Sequence, residues 1–186
     1  MNRDSVRLFR RYATVCATLF CAALAAAAAR PVPHALPQKP AACTAPEYRQ
    51  FDFWAGNWDV FDLEKPGAAV ARVHVDPILD GCVLREDYQD NAGTKGQSFT
   101  IYDSTRALWH QTWVTNRGRL LMIEGKLQAG EMVLAGNELT AEGNPRTIRG
   151  VWKAVKGGVR ETAVLSVDGG KTWQPWFDLM FRPHKP

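Results

Sequence analysis

The chain has 186 residues, a formal net charge of +4 and 46% hydrophobic residues, which is room for one domain with a tail. With 23% charged residues and seven tryptophans, the composition excludes a disordered chain.

The charge is unevenly placed. Arg3, Arg7, Arg10 and Arg11 precede an apolar stretch, Tyr12 to Ala29, that ends in an alanine run. This order is that of a secretory signal peptide. Cleavage after Ala29 removes four basic residues and one acid, Asp4, leaving 157 residues with a net charge of +1. The basicity therefore belongs to the leader. No nucleic-acid footprint remains, and no later segment is apolar enough to span a bilayer. An uncleaved anchor is the alternative. Arg10-Arg11 also raises twin-arginine export, which Tyr12-Ala13-Thr14 fits poorly. The expected location is periplasmic or extracellular.

The expected organisation is a signal peptide over 1–29, a Pro/Ala-rich linker over 30–45 and one domain over 46–183. Pro31, Pro33, Pro37 and Pro40 make the linker a tether, not a core segment. Two cysteines follow the leader, Cys43 and Cys82. An oxidising compartment favours a disulfide between them, pinning the N-terminal segment to a strand. Two free thiols, or pairing with another chain, are the alternatives.

Pro46 to Phe53 suits a short helical turn that plugs one end of the domain. From Trp54 onward, runs rich in Val, Ile, Thr, Trp, Tyr and Phe alternate with Gly, Asp and Asn clusters. Strands are predicted at about 55–63, 69–79, 82–90, 96–103, 108–115, 119–127, 130–136, 145–156, 158–167 and 172–182. No helix of amphipathic period interrupts them, which excludes a parallel α/β sheet. About ten hairpin-linked strands predict an all-β fold, a single antiparallel up-and-down barrel. A two-sheet sandwich is the alternative, disfavoured because no long Greek-key return is visible.

The opening Phe51-Asp52-Phe53-Trp54-Ala55-Gly56-Asn57-Trp58-Asp59-Val60 carries a Gly-x-Trp at the first strand. It resembles the start of the calycin barrels, which include lipocalins, fatty-acid-binding proteins and nitrobindins. More closely, it resembles a family of bacterial secreted proteins of unknown function with an FDFWxGxWDV opening. The likeness continues at Leu79 to Glu86, Trp109 to Val114 and Ser166 to Trp173. It implies a calycin-like barrel and an exported protein, and no assigned activity. Gly56 would let the chain bend over the barrel base, and Trp58 would close that end. By the lipocalin pattern, Arg182 would lie across the Trp58 ring as a cation–π contact.

Ser166-Val167-Asp168-Gly169-Gly170-Lys171-Thr172-Trp173 matches the Asp-box of sialidases and other secreted proteins. A single copy has a structural role: Asp168 bonds turn amides and Trp173 packs beneath.

Trp109-His110-Gln111-Thr112-Trp113-Val114 is the strongest candidate for function. On a strand, Trp109, Gln111 and Trp113 share one face and His110, Thr112 and Val114 the other. Which face lines a lumen stays open at this level. A small, mostly apolar or amphipathic ligand would find walls in Trp109, Trp113, Trp152 and Trp176. Tyr102, Gln111, His110 and Glu124 would orient it. The alternative is a cofactor-independent isomerase, cyclase or hydrolase, with His110 as base and a lumen carboxylate, Glu124 or Glu161, as partner. A packed interaction barrel with an exposed apolar patch is a third class.

No two histidines lie at ligand spacing, so no metal site is predicted. The nitrobindin likeness brings single-histidine haem ligation, by His110 or His74, into view. The chain has Asp59-Val60-Phe61 where the nitrobindin opening continues with glycines, so no cofactor is predicted. Oligomeric state is not legible.

Overall fold

A computed structural model describes residues 42–185. The signal peptide predicted over 1–29 and most of the linker predicted over 30–45 lie outside the described residues. Two 3₁₀ turns, Pro46–Arg49 and Asp52–Trp54, lead into ten strands. These are β1 (Gly56–Asp62), β2 (Ala71–Ile78), β3 (Val83–Asp90), β4 (Lys95–Asp103) and β5 (Leu108–Thr115), followed by β6 (Leu120–Gln128), β7 (Glu131–Leu139), β8 (Pro145–Val155), β9 (Gly158–Ser166) and β10 (Gln174–Pro183). Each lies where the sequence predicts it, within three residues at either end.

Every strand pairs antiparallel with its chain neighbours, and β1 pairs with β10 to close an up-and-down barrel. Closure leaves no free sheet edge. Alternation sets the faces. In β2, Ala71, Val73 and Val75 are buried while Arg72 and His74 are exposed.

The two 3₁₀ turns cover one end of the barrel. Phe51 is fully buried. It stacks on Trp54 at 5.2 Å and meets Trp109 and Trp152 edge-on at 5.7 and 5.6 Å. Tyr48 meets Tyr102 edge-on at 5.3 Å. Burying each large ring contributes about 2 kcal/mol. Trp58 is buried beside this plug, and its indole N–H donates to the Trp54 carbonyl at 2.9 Å. Gly56 sits where a Cβ would lie 2.8 Å from the Trp58 ring, so the ring can fold down over the barrel end.

Cys43 and Cys82 form a disulfide. Cys82 lies in the β2–β3 turn, one residue before β3, so the bond ties the plug segment to a turn and not to a strand. The Arg49 guanidinium donates to the Gly81 carbonyl in the same turn.

Arg182 does not lie across Trp58. It pairs in register with Asp59, whose side chain faces outward, and its guanidinium stands over the Phe61 ring at 4.7 Å. The alternation that sends Trp58 and Val60 inward sends Asp59, Phe61 and Arg182 outward.

The Asp-box is a bracket within one hairpin. One Asp168 carboxylate oxygen accepts from the Lys171 and Thr172 amides at 3.0 and 2.9 Å, and the other from the Thr172 hydroxyl at 2.6 Å. The Ser166 hydroxyl donates to Asp168 at 2.7 Å. These donors hold the Asp168 carboxyl well below the usual carboxylate range. Arg149 lies over the Trp173 ring at 4.3 Å.

Candidate functional site

The lumen face carries Trp109, Gln111 and Trp113, and the outer face carries His110, Thr112 and Val114. Trp109 and Gln111 are buried, whereas Val114 is exposed. Side chains on this inner face fall into two layers. Next to the plug, Trp109, Met132, Leu134, Trp152, Val159 and Phe181 are sealed from solvent. Farther along, Tyr88, Trp113, Glu161, Phe177 and Leu179 keep accessible surface although they point inward. The inner face is thus sealed at the plugged end and keeps accessible surface towards the other.

Trp109 and Trp152 therefore do not wall an open space; they are the floor on which the plug packs. Trp109 donates its indole N–H to Gln50 at 3.2 Å, and Tyr102 lies 5.9 Å from the Trp109 ring within the same cluster. Trp113 belongs to the open layer, edge-on to Tyr88 at 5.6 Å. Gly96, across the β3–β4–β5 ladder, makes room for it: a Cβ there would lie 2.3 Å from the Trp113 ring.

Between the layers runs a band of polar groups. Ser98 and Thr100 on β4 are wholly buried, as is most of Glu86 on β3 and Gln111 on β5. The Ser98 hydroxyl donates to Glu86 at 2.8 Å, and the Gln111 amide donates to the Thr100 hydroxyl at 3.0 Å. Glu161 projects inward from β9, between the buried Val159 and Ala163. Burial raises the Glu86 carboxyl to about 7, against the opposing effect of the Ser98 hydrogen bond. Burial also raises Glu161 well above its ordinary value, reinforced by the charge of Glu86. The Tyr88 phenol, pushed up to about 12, is raised first by burial and then by Asp90, Glu86 and Glu161. The two carboxyls and the phenol thus share one field inside the barrel.

Beyond this band, at the end opposite the plug, Glu138 is 6% exposed and accepts from both Arg119, at 2.9 Å, and Arg146. Both guanidiniums also face the Trp176 ring, at 4.9 and 5.3 Å from its centre. Trp176 sits at a β-bulge between Pro175 and Phe177. It is a mouth residue, not a wall of the deep lumen.

His110 and Glu124 do meet, but on the outer face and not in the lumen. They are cross-strand partners on β5 and β6, with His110 Nδ1 2.8 Å from Glu124 Oε1. His110 Nε2 lies 2.8 Å from the Thr112 hydroxyl. Arg106 donates to both Glu124 oxygens at 3.0 and 2.9 Å. Arg106 first, then His110, hold the Glu124 carboxyl below its ordinary value. A carboxylate so occupied is a weak base, so the chain of contacts reads as a surface ladder. A shallow cavity of 420 Å³ lies beside it, lined by Tyr48, Tyr102, Arg106 and His110 among others. A broader groove of 580 Å³ crosses the outside of β1 to β5 past Asn57, His74, Gln97 and Asn116. His74 bonds Asn57 there at 2.6 Å.

Among the described residues, no group of three or more His, Cys, Asp or Glu side chains is placed to hold a metal ion. No described helix is long and apolar enough to cross a membrane.

Sequence reasoning missed Glu86, Ser98 and Thr100. In β3, both Val83 and Leu84 are buried, so the apolar pattern does not reveal which parity faces inward. In β4 the pattern is inverted. Ser98 and Thr100 face the lumen while Phe99 and Ile101 stand partly exposed outside.

No family model matches the chain. No curated protein matches it either.

Proposed function

We propose that the barrel takes up a small, mostly apolar molecule in the open layer of its lumen. The reading rests on the gradient of exposure along the inner face: sealed aromatics by the plug, then Tyr88, Trp113, Phe177 and Leu179 with free surface. A barrel built only as a scaffold gains by filling its interior throughout, because unfilled space forfeits dispersion contacts. Aromatic and aliphatic walls around a few convergent polar groups are the ordinary composition of a small-molecule site. The disulfide and the basic-then-apolar N-terminus favour an exported carrier or binding protein of calycin-like type.

The test is a fluorescence titration with N-phenyl-1-naphthylamine, a neutral apolar probe that brightens on leaving water. Wild type gives saturable binding. Leu179→Trp, which fills the open layer, weakens it by roughly tenfold or more while the protein still melts cooperatively. His110→Ala, on the outer face, binds like wild type. Absence of saturable binding, or indifference to Leu179→Trp, overturns the reading.

A further inference from the structure

Many carboxylates elsewhere on the barrel are paired. Glu131 holds Lys153, Asp178 holds Arg160 and Glu138 holds two arginines. Asp62 and Asp90 accept from the backbone amides of their own turns. Glu86 and Glu161 differ. Both point into the lumen, and among the described residues no basic side chain accompanies either. Glu86 is 7% exposed, and a hydroxyl is its hydrogen-bond partner.

A second observation lies next to Glu161. Trp152 is its direct cross-strand neighbour on β8 and is 3% exposed. Its indole N–H makes no hydrogen bond of proper geometry, although it turns towards the Glu161 carboxyl. An unmet buried donor costs free energy, and such atoms are uncommon in folded proteins. Glu161 is the acceptor it faces, and its influence favours the ionised form of that carboxyl. A ligand cation that holds Glu161 as a carboxylate would make it a stronger acceptor for this N–H.

We infer that the lumen selects a protonated amine carried on an apolar body, its ammonium seated between Glu86 and Glu161. This rests on the lumen reading above and names the ligand class. Two inward-facing carboxyls without a cation are held towards their neutral forms, and a ligand ammonium restores charge and hydrogen bonding together. The rings of Tyr88 and Trp113 stand in the same layer, and aromatic faces also attract ammonium groups. A fatty-acid-type ligand is disfavoured, because its carboxylate would enter a field already set by two acids. The mouth arginines offer no deep counter-charge, since Glu138 and Trp176 already engage them.

The experiment is displacement of N-phenyl-1-naphthylamine from the whole protein by octylamine, octanol and octanoate, which share one chain length and differ in the head. It is run near pH 8, above the value of about 7 to which burial raises Glu86 and below the range in which alkylamines lose their proton. Octylamine should displace the probe at concentrations roughly tenfold or more below octanol, with octanoate weakest. The double variant Glu86→Gln/Glu161→Gln should bring octylamine to the level of octanol and leave octanol unchanged. Glutamine keeps the size and removes a buried charge, so the variant should fold; each single variant should show a partial loss. Equal displacement by all three, no displacement by any, or an amine preference that survives the double variant overturns the inference. The lumen reading stands in each case as long as the probe itself binds. Failure of the probe to bind removes both.

Discussion

At the scale of the residue, the burial of Glu86 has a direct electrostatic consequence. Its carboxyl rises from an ordinary 4.5 to about 7 because burial disfavours the charged form. The folded chain therefore holds this proton more tightly than the unfolded chain does. The contribution of Glu86 to stability is greatest at pH values below the unfolded value, and it falls as pH climbs from about 4.5 to about 7. Removing the charge should reverse that loss. In urea unfolding without ligand, Glu86→Gln should exceed wild type by up to about 3 kcal/mol near pH 8 and match it near pH 4. A gap that does not change with pH would show that the carboxyl is not desolvated. His110 teaches the converse. It is the histidine that the sequence singles out, and its ring lies against Glu124 and Thr112 on the outside of the barrel.

At the scale of the element, the plug and strand β4 matter most. The plug is two 3₁₀ turns with no side-chain cap, so hydrogen bonds alone hold it weakly. Its stability comes from Phe51 and Trp54 wedged against Trp109 and Trp152. Phe51→Ala should therefore cost about 3–5 kcal/mol in denaturant unfolding. It should also expose Trp109 and Trp152, red-shifting tryptophan emission; an unshifted spectrum with a small loss would mean that the plug is dispensable. Strand β4 trades core apolar area for a polar inner surface. Ser98 and Thr100 occupy positions that Phe99 and Ile101 would fill in a barrel built for stability alone. Breaking the local pattern in this way is common where a protein binds something.

At the scale of the whole molecule, closure and the disulfide act together. The β1–β10 pairing joins the two ends of a strand order that otherwise follows the chain, so the barrel depends on its most distant contact. The Cys43–Cys82 bond closes a loop of 39 residues that contains the plug and the first two strands. By the chain-entropy account, such a cross-link is worth about 4 kcal/mol. A Cys43→Ser/Cys82→Ser variant should lose roughly that amount, and wild type treated with reductant should melt with it. Coincident melts of reduced and oxidised wild type would show that the bond carries no stability.

Strand positions, hairpin turns, the cysteine pair and the barrel class were all legible from local pattern. Each is set by residues near one another in sequence: β-branched and aromatic runs, Gly and Asn turns, and an absence of helical period. The pairing of Trp109, Gln111 and Trp113 on one face followed from alternation alone. Which face is inside did not, because β5 carries apolar residues on both sides and β4 is inverted. The position of Arg182 was missed for a related reason. A motif supplies the residue, but register decides its face, and register is fixed only when β1 meets β10. The Glu86–Glu161 field belongs to the tertiary structure outright. These residues sit on strands that are not neighbours in the sheet, and closing the barrel is what turns both towards the lumen.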